Sequence, residues 1–155
     1  MKNYILLVLV FLFKNTIFAH CQIPCGIYDD ALRIVQIKED FKTIKKSMGM
    51  ITQLSEKSDP LSNNQINRWI MTKDQHASNI QKTTSEYFLT QRVKPDQSKK
   101  HINLITTLHS ILVATMKCKQ TVDTSNVDNG IELIDQFINF YFDSHGLDYL
   151  KKISN

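Results

Sequence analysis

Turn-forming residues are scarce in this chain: four glycines and three prolines in 155 residues. That scarcity leaves long uninterrupted segments and makes each Gly or Pro a boundary marker. Cysteine is nearly as rare, with only Cys21, Cys25 and Cys118. An odd count in an exported chain does not suit a disulfide scaffold. Neither sign of charge dominates. The chain carries 19 Lys+Arg and 15 Asp+Glu, and setting aside Lys2 and Lys14 of the leader described below leaves 17 against 15, a net +2. Interspersed charges near balance describe a solvated helical surface and give no footprint for nucleic acid. Nor is there a long apolar run. Residues 5–13 are the most apolar stretch, far short of the roughly 20 residues a membrane-spanning helix needs.

What is present begins with a leader. A basic start at Lys2 precedes the apolar residues 5–13; Lys14-Asn15-Thr16 breaks the run, and Ala19 supplies a small residue for cleavage. This order matches a secretory signal peptide over residues 1–19. The alternatives are an uncleaved anchor or a buried N-terminal helix, and Lys14 cuts the run short for both. Ile17 is a less usual partner for Ala19 than alanine at such a cut. Export implies a periplasmic or extracellular protein, processed by a signal peptidase and free of the membrane afterwards.

A cut before His20 would put four kinds of donor within two residues: a free amine, an imidazole, a thiolate and a backbone amide nitrogen. Cys25 adds a second thiolate four positions on. Cys118 stands alone in a helical pattern and reads as a small buried hydrophobe.

After residue 28 the periodicity is helical throughout. Asp29-Asp30 can cap a first helix, along which Ile34, Ile37, Phe41, Ile44, Met48 and Ile51 recur at spacings of three and four. Ser58-Asp59-Pro60 ends it. Ser62 or Asn63 opens a second helix carrying Ile66, Ile70, Ala77, Ile80, Tyr87 and Phe88, which Val93-Lys94-Pro95 ends. Ser98 starts a third with Ile102, Ile105, Leu108, Leu112 and Met116. Residues 120–126 read as a loop. Asp128 caps a fourth helix with Ile131, Ile134, Phe137, Ile138 and Tyr141, and Gly146 suits its C-cap; residues 147–153 add a further turn. With short connections, and no strand alternation or internal repeat, the expected fold is all-α: an antiparallel up-down-up-down four-helix bundle over residues 29–155, preceded by the metal-binding segment 20–28.

The block His20-Cys21-Gln22-Ile23-Pro24-Cys25-Gly26-Ile27-Tyr28 resembles the nickel hook of the nickel-containing superoxide dismutases. The resemblance extends more loosely through the helical remainder. It implies one nickel ion per subunit, cycling between Ni(II) and Ni(III) to disproportionate superoxide into dioxygen and hydrogen peroxide. The implied ligands are the amine of His20, the amide nitrogen and thiolate of Cys21 and the thiolate of Cys25, with the His20 imidazole as an axial nitrogen. Thiolates and a deprotonated amide donate strongly enough to bring the higher oxidation state within reach, and square-planar nitrogen and sulfur suit Ni(II). Pro24 and Gly26 suit the tight turn that returns the second sulfur to the metal.

The resemblance also implies that Tyr28 guards the open face of the metal, hydrogen-bonded to a second tyrosine in a Ser-acid-Tyr-Phe run. Here that run is Ser85-Glu86-Tyr87-Phe88; Tyr87 reads equally as a core aromatic with a satisfied hydroxyl. It further implies a homohexamer of four-helix bundles with projecting hooks. Better-known members hold the axial imidazole with a glutamate of the first helix and an arginine of the second. Those positions fall on Val35 or Gln36 and on His76, a change expected to alter tuning more than binding.

Two other functions compete: a thiol–disulfide protein using Cys21 and Cys25, and a secreted bundle in which that pair forms a structural disulfide. Redox dithiols usually have two intervening residues, whereas three separate these cysteines. His101 and His109 are about 12 Å apart along a helix, too far to share an ion, and His145 suits a helix C-terminus.

Overall fold

The computed structural model describes residues 28–96 and 98–154. The leader 1–19 and the expected ligands His20, Cys21 and Cys25 lie outside the described residues. Within them, all regular structure is helical. Helix α1 spans Asp30–Ser55 and α2 Pro60–Lys82; α2 continues directly into a π-helix, π1, over Thr83–Arg92. Helices α3 (Lys99–Gln120), α4 (Ser125–Tyr141) and α5 (Ser144–Ile153) follow. The long helices pack antiparallel, each on its neighbour in sequence, and α4 closes back onto α1. This is the bundle that the periodicity predicts.

The core forms where the apolar stripes meet. Ile34, Ile37, Phe41, Ile44 and Met48 of α1 are fully buried against Ala77 and Ile80 of α2, Leu108 and Ile111 of α3, and Val127, Ile134 and Phe137 of α4. Cys118 is also fully buried, and burial pushes its thiol up to about 11, so it packs as the small hydrophobe expected.

Helix α3 departs from expectation. Its buried face is Leu104, Thr107, Leu108, Ile111, Ala114, Thr115 and Cys118, whereas Ile102 (59% exposed), Ile105 and Met116 face outward. Apolar residues occupy two sides of this helix, and two threonines are on the inner one. Thr115 escapes the penalty for burying a hydroxyl by donating to the Ile111 carbonyl at 2.7 Å.

Three boundaries also differ. Pro60 does not follow a helix end but occupies the first turn of α2, where it forfeits no helical hydrogen bond. Asp59 is the N-cap, accepting from the Ser62 N–H at 3.0 Å and the Ser62 hydroxyl at 2.6 Å. Helix α4 starts at Ser125, which leaves Asp128 in its first turn, paired with Lys45 of α1. Gly146 is not a C-cap: its N–H donates to the Asp143 carboxylate at 2.8 Å, at the start of α5. His145 accordingly lies at a helix N-terminus.

Two contacts fasten the helices crosswise. Lys73 of α2 is 3% exposed, and its ammonium donates to the Cys118 carbonyl at 2.9 Å and to the Lys119 carbonyl. A cation thus meets the negative end of the α3 dipole and satisfies carbonyls that lack helical partners. Gly130 of α4 is buried directly against the Phe41 ring, where a Cβ would overlap the ring atoms. Phe41 is fully buried and has nowhere to retreat.

Gly130→Ala should therefore destabilise the bundle. Overpacking of this kind costs typically about 1–3 kcal/mol, more than the roughly 1 kcal/mol that alanine gains over glycine within a helix. Urea denaturation should show a lowered midpoint; a midpoint at or above that of the parent would contradict the close approach.

Candidate metal centre

Tyr28 immediately precedes the capping residue Asp29 of α1, and three described residues contact it. Its hydroxyl donates to Gln91 Oε1 at 3.3 Å. The Arg92 guanidinium lies over its ring, 4.4 Å from the centroid. Its ring meets that of Tyr87 at 5.8 Å, tilted by 57°. All three partners belong to π1.

The π winding explains how one short segment supplies them. Main-chain bonding runs to the fifth residue in a π-helix, a rare form that is frequent at functional sites. The Val93 N–H closes such a turn on the Phe88 carbonyl at 2.9 Å. Side chains repeat the pattern: Thr90 Oγ1 donates to the Ser85 carbonyl at 2.7 Å and Gln91 Nε2 to the Glu86 carbonyl at 3.0 Å. Because the Gln91 amide nitrogen is tied to its own helix, its oxygen is the atom presented to Tyr28.

Behind these residues lies Asp30, the first residue of α1. Its Oδ1 accepts from the Tyr87 hydroxyl at 2.6 Å and from Arg92 Nε at 2.8 Å. Its Oδ2 accepts from Arg92 Nη2 at 2.7 Å and from the Tyr141 hydroxyl at 2.7 Å. Burial works to raise the carboxyl pKa, but the hydrogen bonds from Arg92, Tyr87 and Tyr141 outweigh it and hold the group below its ordinary value. Burial and the same carboxylate raise both phenols well above the usual tyrosine range. Asp30 is thus a fixed anion and the two tyrosines fixed donors.

The expected hydrogen bond between Tyr28 and Tyr87 gives way to this arrangement. Tyr87 donates to Asp30, Tyr28 donates to Gln91, and the two tyrosines meet ring to ring. Tyr87 is buried and packs edge-on against Phe88, so the core role and the contact with Tyr28 belong to one side chain. Sequence reasoning missed Asp30 as more than a capping residue and missed Gln91 and Arg92 altogether. Their spacing of four and five from Tyr87 was the one available signal.

The second-helix position His76 has a partner. Its Nδ1 lies 2.6 Å from Asp40 Oδ1, across α1 and α2. Asp40 is one turn beyond Gln36, and burial is the main cause that raises its carboxyl pKa, with the His76 contact opposing it. Gln36, Asp40, Asn79 and Thr83 line one groove between these helices. Arg33 connects it to the tyrosines: its guanidinium stands 5.4 Å from the Tyr87 ring centroid and donates to Gln36 Oε1 at 2.9 Å.

Among the described residues, no three His, Cys, Asp or Glu side chains converge to hold a metal ion. His101 and His109 fall on α3 and His145 on α5; His101 lines a groove together with Arg92 and Tyr141 of the hub.

The model of one protein family, described as nickel-containing superoxide dismutase, matches residues 15–145. Neither the curated proteins nor the solved structures give a match. The matched span takes in the cysteine-bearing block, the tyrosine cluster and all four long helices, most of the 155-residue chain. The chain therefore belongs to the nickel-containing superoxide dismutase family, oxidoreductases that use a nickel cofactor to disproportionate superoxide.

Proposed function

We propose that nickel is held in this enzyme by His20, Cys21 and Cys25, with Tyr28 and Tyr87 walling the approach of superoxide. The observation that carries the assignment is the anchorage of Tyr28 by Gln91, Arg92 and Tyr87. Two residues separate Tyr28 from Cys25, so chain connectivity alone keeps their Cα atoms within about 11 Å of each other. The donor chemistry fits the ion: an amine, an amide nitrogen and two thiolates make a soft, strongly donating square-planar set. Nickel held so supplies the one-electron couple that disproportionation requires.

The residues of the chain have separate tasks. Cys21 and Cys25 would bind as thiolates, and the backbone nitrogens of His20 and Cys21 would supply two further donors. The imidazole of His20 adds a further nitrogen that favours the oxidised metal. Tyr28 and Tyr87 narrow the approach so that a small anion enters and bulk ligands do not. The amine of His20 is a ligand only if His20 is the first residue, which ties activity to removal of residues 1–19 by a signal peptidase. This ordering supports an exported enzyme, periplasmic or extracellular, and the family resemblance supports a homohexamer. Sedimentation of the active protein tests the assembly; an active monomer would refute it.

The mature protein should have the mass of a chain beginning at His20, and full activity in protein that retains Ala19 would sink the ligand set. Cys21→Ser and Cys25→Ser should each abolish turnover and lower the nickel content, whereas Cys118→Ser, buried in the core near the C-terminal end of α3, should stay active. Normal nickel and normal turnover in Cys25→Ser would count decisively against the assignment. A Cys21–Cys25 dithiol or disulfide protein would instead show no nickel dependence and would lose its function on alkylation.

His20→Ala separates the two roles of the first residue. Its amine survives, so nickel content should be close to that of the parent, but the oxidised metal loses a nitrogen. The electron paramagnetic resonance signal of Ni(III) should be lost or altered, and superoxide turnover should fall sharply. Parent-level turnover with nickel bound would show that the imidazole is dispensable.

A further inference from the structure

We infer that Asp30 is a positioning residue for Tyr28, acting through the guanidinium of Arg92. Asp30 does not itself hydrogen-bond to Tyr28. What it holds is the side chain that lies on the Tyr28 ring. An arginine on a surface samples many rotamers, and a cation over an exposed ring is worth only about 0.5–1 kcal/mol. Such a contact orients nothing unless the cation is fixed by something else. Here Arg92 makes a two-pronged contact with Asp30, Nε and Nη2 at 2.8 and 2.7 Å, the planar fork geometry that locks a guanidinium. The same carboxylate is fixed by two phenol donors from different elements, Tyr87 of π1 and Tyr141 of α4. Its orientation is therefore set by α1, π1 and α4 together, and Arg92 inherits that orientation.

The opposite face of the arrangement is equally constrained. Gln91, adjacent to Arg92, offers its oxygen to the Tyr28 hydroxyl while its nitrogen is held by the Glu86 carbonyl. Tyr87 touches the Tyr28 ring and donates to Asp30. Gln91, Arg92 and Tyr87, the π1 residues in contact with Tyr28, are thus held either by Asp30 or by the π winding. Rotating the π1 register by one residue would carry Gln91 and Arg92 away from the tyrosine, which gives the unusual helix a purpose at this place in the fold. The inference rests on Tyr28 standing at the nickel site, as proposed above.

The test follows Tyr28 directly. The nickel-loaded, reduced enzyme is labelled with 3-fluorotyrosine, and the fluorine resonance of Tyr28 is identified by its disappearance in Tyr28→Phe. In Asp30→Asn, which keeps the shape of the side chain but removes its charge, the Tyr28 line should move towards the position of free 3-fluorotyrosine. Arg92→Gln should move it similarly, and the double variant should move it no further than Arg92→Gln alone. Arg92→Lys retains the charge and lacks the fork; it should also displace the line, and it carries the test if Asp30→Asn fails to fold. An unmoved Tyr28 line in folded Asp30→Asn or in Arg92→Lys, or strictly additive shifts in the double variant, would overturn the inference.

Turnover read on the same samples distinguishes the inference from its premise. With nickel content unchanged, Asp30→Asn should lose about tenfold or more in kcat/KM, the usual cost of disturbing a group that orients a metal site. A displaced Tyr28 line with full activity would leave the clamp in place and overturn the role of Tyr28 at the metal.

Discussion

The carboxylate of Asp30 is the constraint on which the arrangement of this molecule turns. An anion largely withdrawn from water, its side chain 15% exposed, is costly unless donors replace the lost solvent. Here they come from Arg92, Tyr87 and Tyr141, so the start of α1, the end of π1 and the end of α4 must meet at one point. A bundle whose helices could otherwise slide by a turn is pinned there in register. The pinning does not switch with pH across the physiological range. The carboxyl pKa is lowered and the two phenol pKa values are raised, so the anion stays charged and the donors keep their protons. A depressed carboxyl contributes stability that is complete above its unfolded value and is lost only in acid, as pH falls through the folded value.

That point is also where the chain passes from the hook segment into the bundle. Asp29 caps α1 by accepting from the Leu32 N–H at 2.9 Å, and Tyr149 of α5 donates to its other oxygen at 3.1 Å. Consecutive aspartates therefore do different work: one ends the backbone ladder and ties down α5, the next gathers three side chains. Tyr28 follows from this, because it precedes the cap by a single residue and leans on groups that the second aspartate holds. The precision available to a metal site at the end of a short strip of chain depends on how firmly its last residue is seated.

Legibility in the sequence followed the range of the interaction. The block proposed to hold nickel stands out in the sequence because its candidate donors, His20, Cys21 and Cys25, lie within six residues. Helix α1 could be read because its buried residues, Ile34 to Met48, keep one strict period. Ser98 was recognisable as an N-cap, and it accepts from the His101 N–H at 3.1 Å. The inner face of α3 was not recognisable, since Ile102, Ile105 and Met116 are as apolar as the residues that were buried and Thr107 and Thr115 are not. Pro60 and Gly146 were misplaced because each can stand on either side of a helix boundary, and the neighbouring aspartates Asp59 and Asp143 decide which. The hub was invisible for a different reason. Its members are separated by 57, 62 and 111 positions, and no local pattern marks an aspartate that will meet two tyrosines and an arginine. A switch from α to π winding likewise leaves composition and periodicity almost unchanged.

The groove beside the tyrosines shows how a change of residues can preserve a physical relation. The resemblance leads one to look for an acid on the first helix and a cation on the second, and those positions fall on Val35 or Gln36 and on His76 instead. The acid has not vanished: Asp40 stands four residues beyond Gln36, about 6 Å along the axis, and it is bonded to His76. An acid of α1 therefore still meets an imidazole of α2, one turn beyond the expected position. Gln36 remains nearer the tyrosines, tied to Arg33, whose guanidinium faces the Tyr87 ring. The charge closest to Tyr87 on this side is thus a cation rather than an anion, and on the other side Arg92 lies over Tyr28. Two guanidiniums flank the paired tyrosines, one neutralised by Asp30 and the other bonded to a neutral amide. Among the described residues no carboxylate pairs with Arg33, so its charge beside the Tyr87 ring is offset only by a neutral amide.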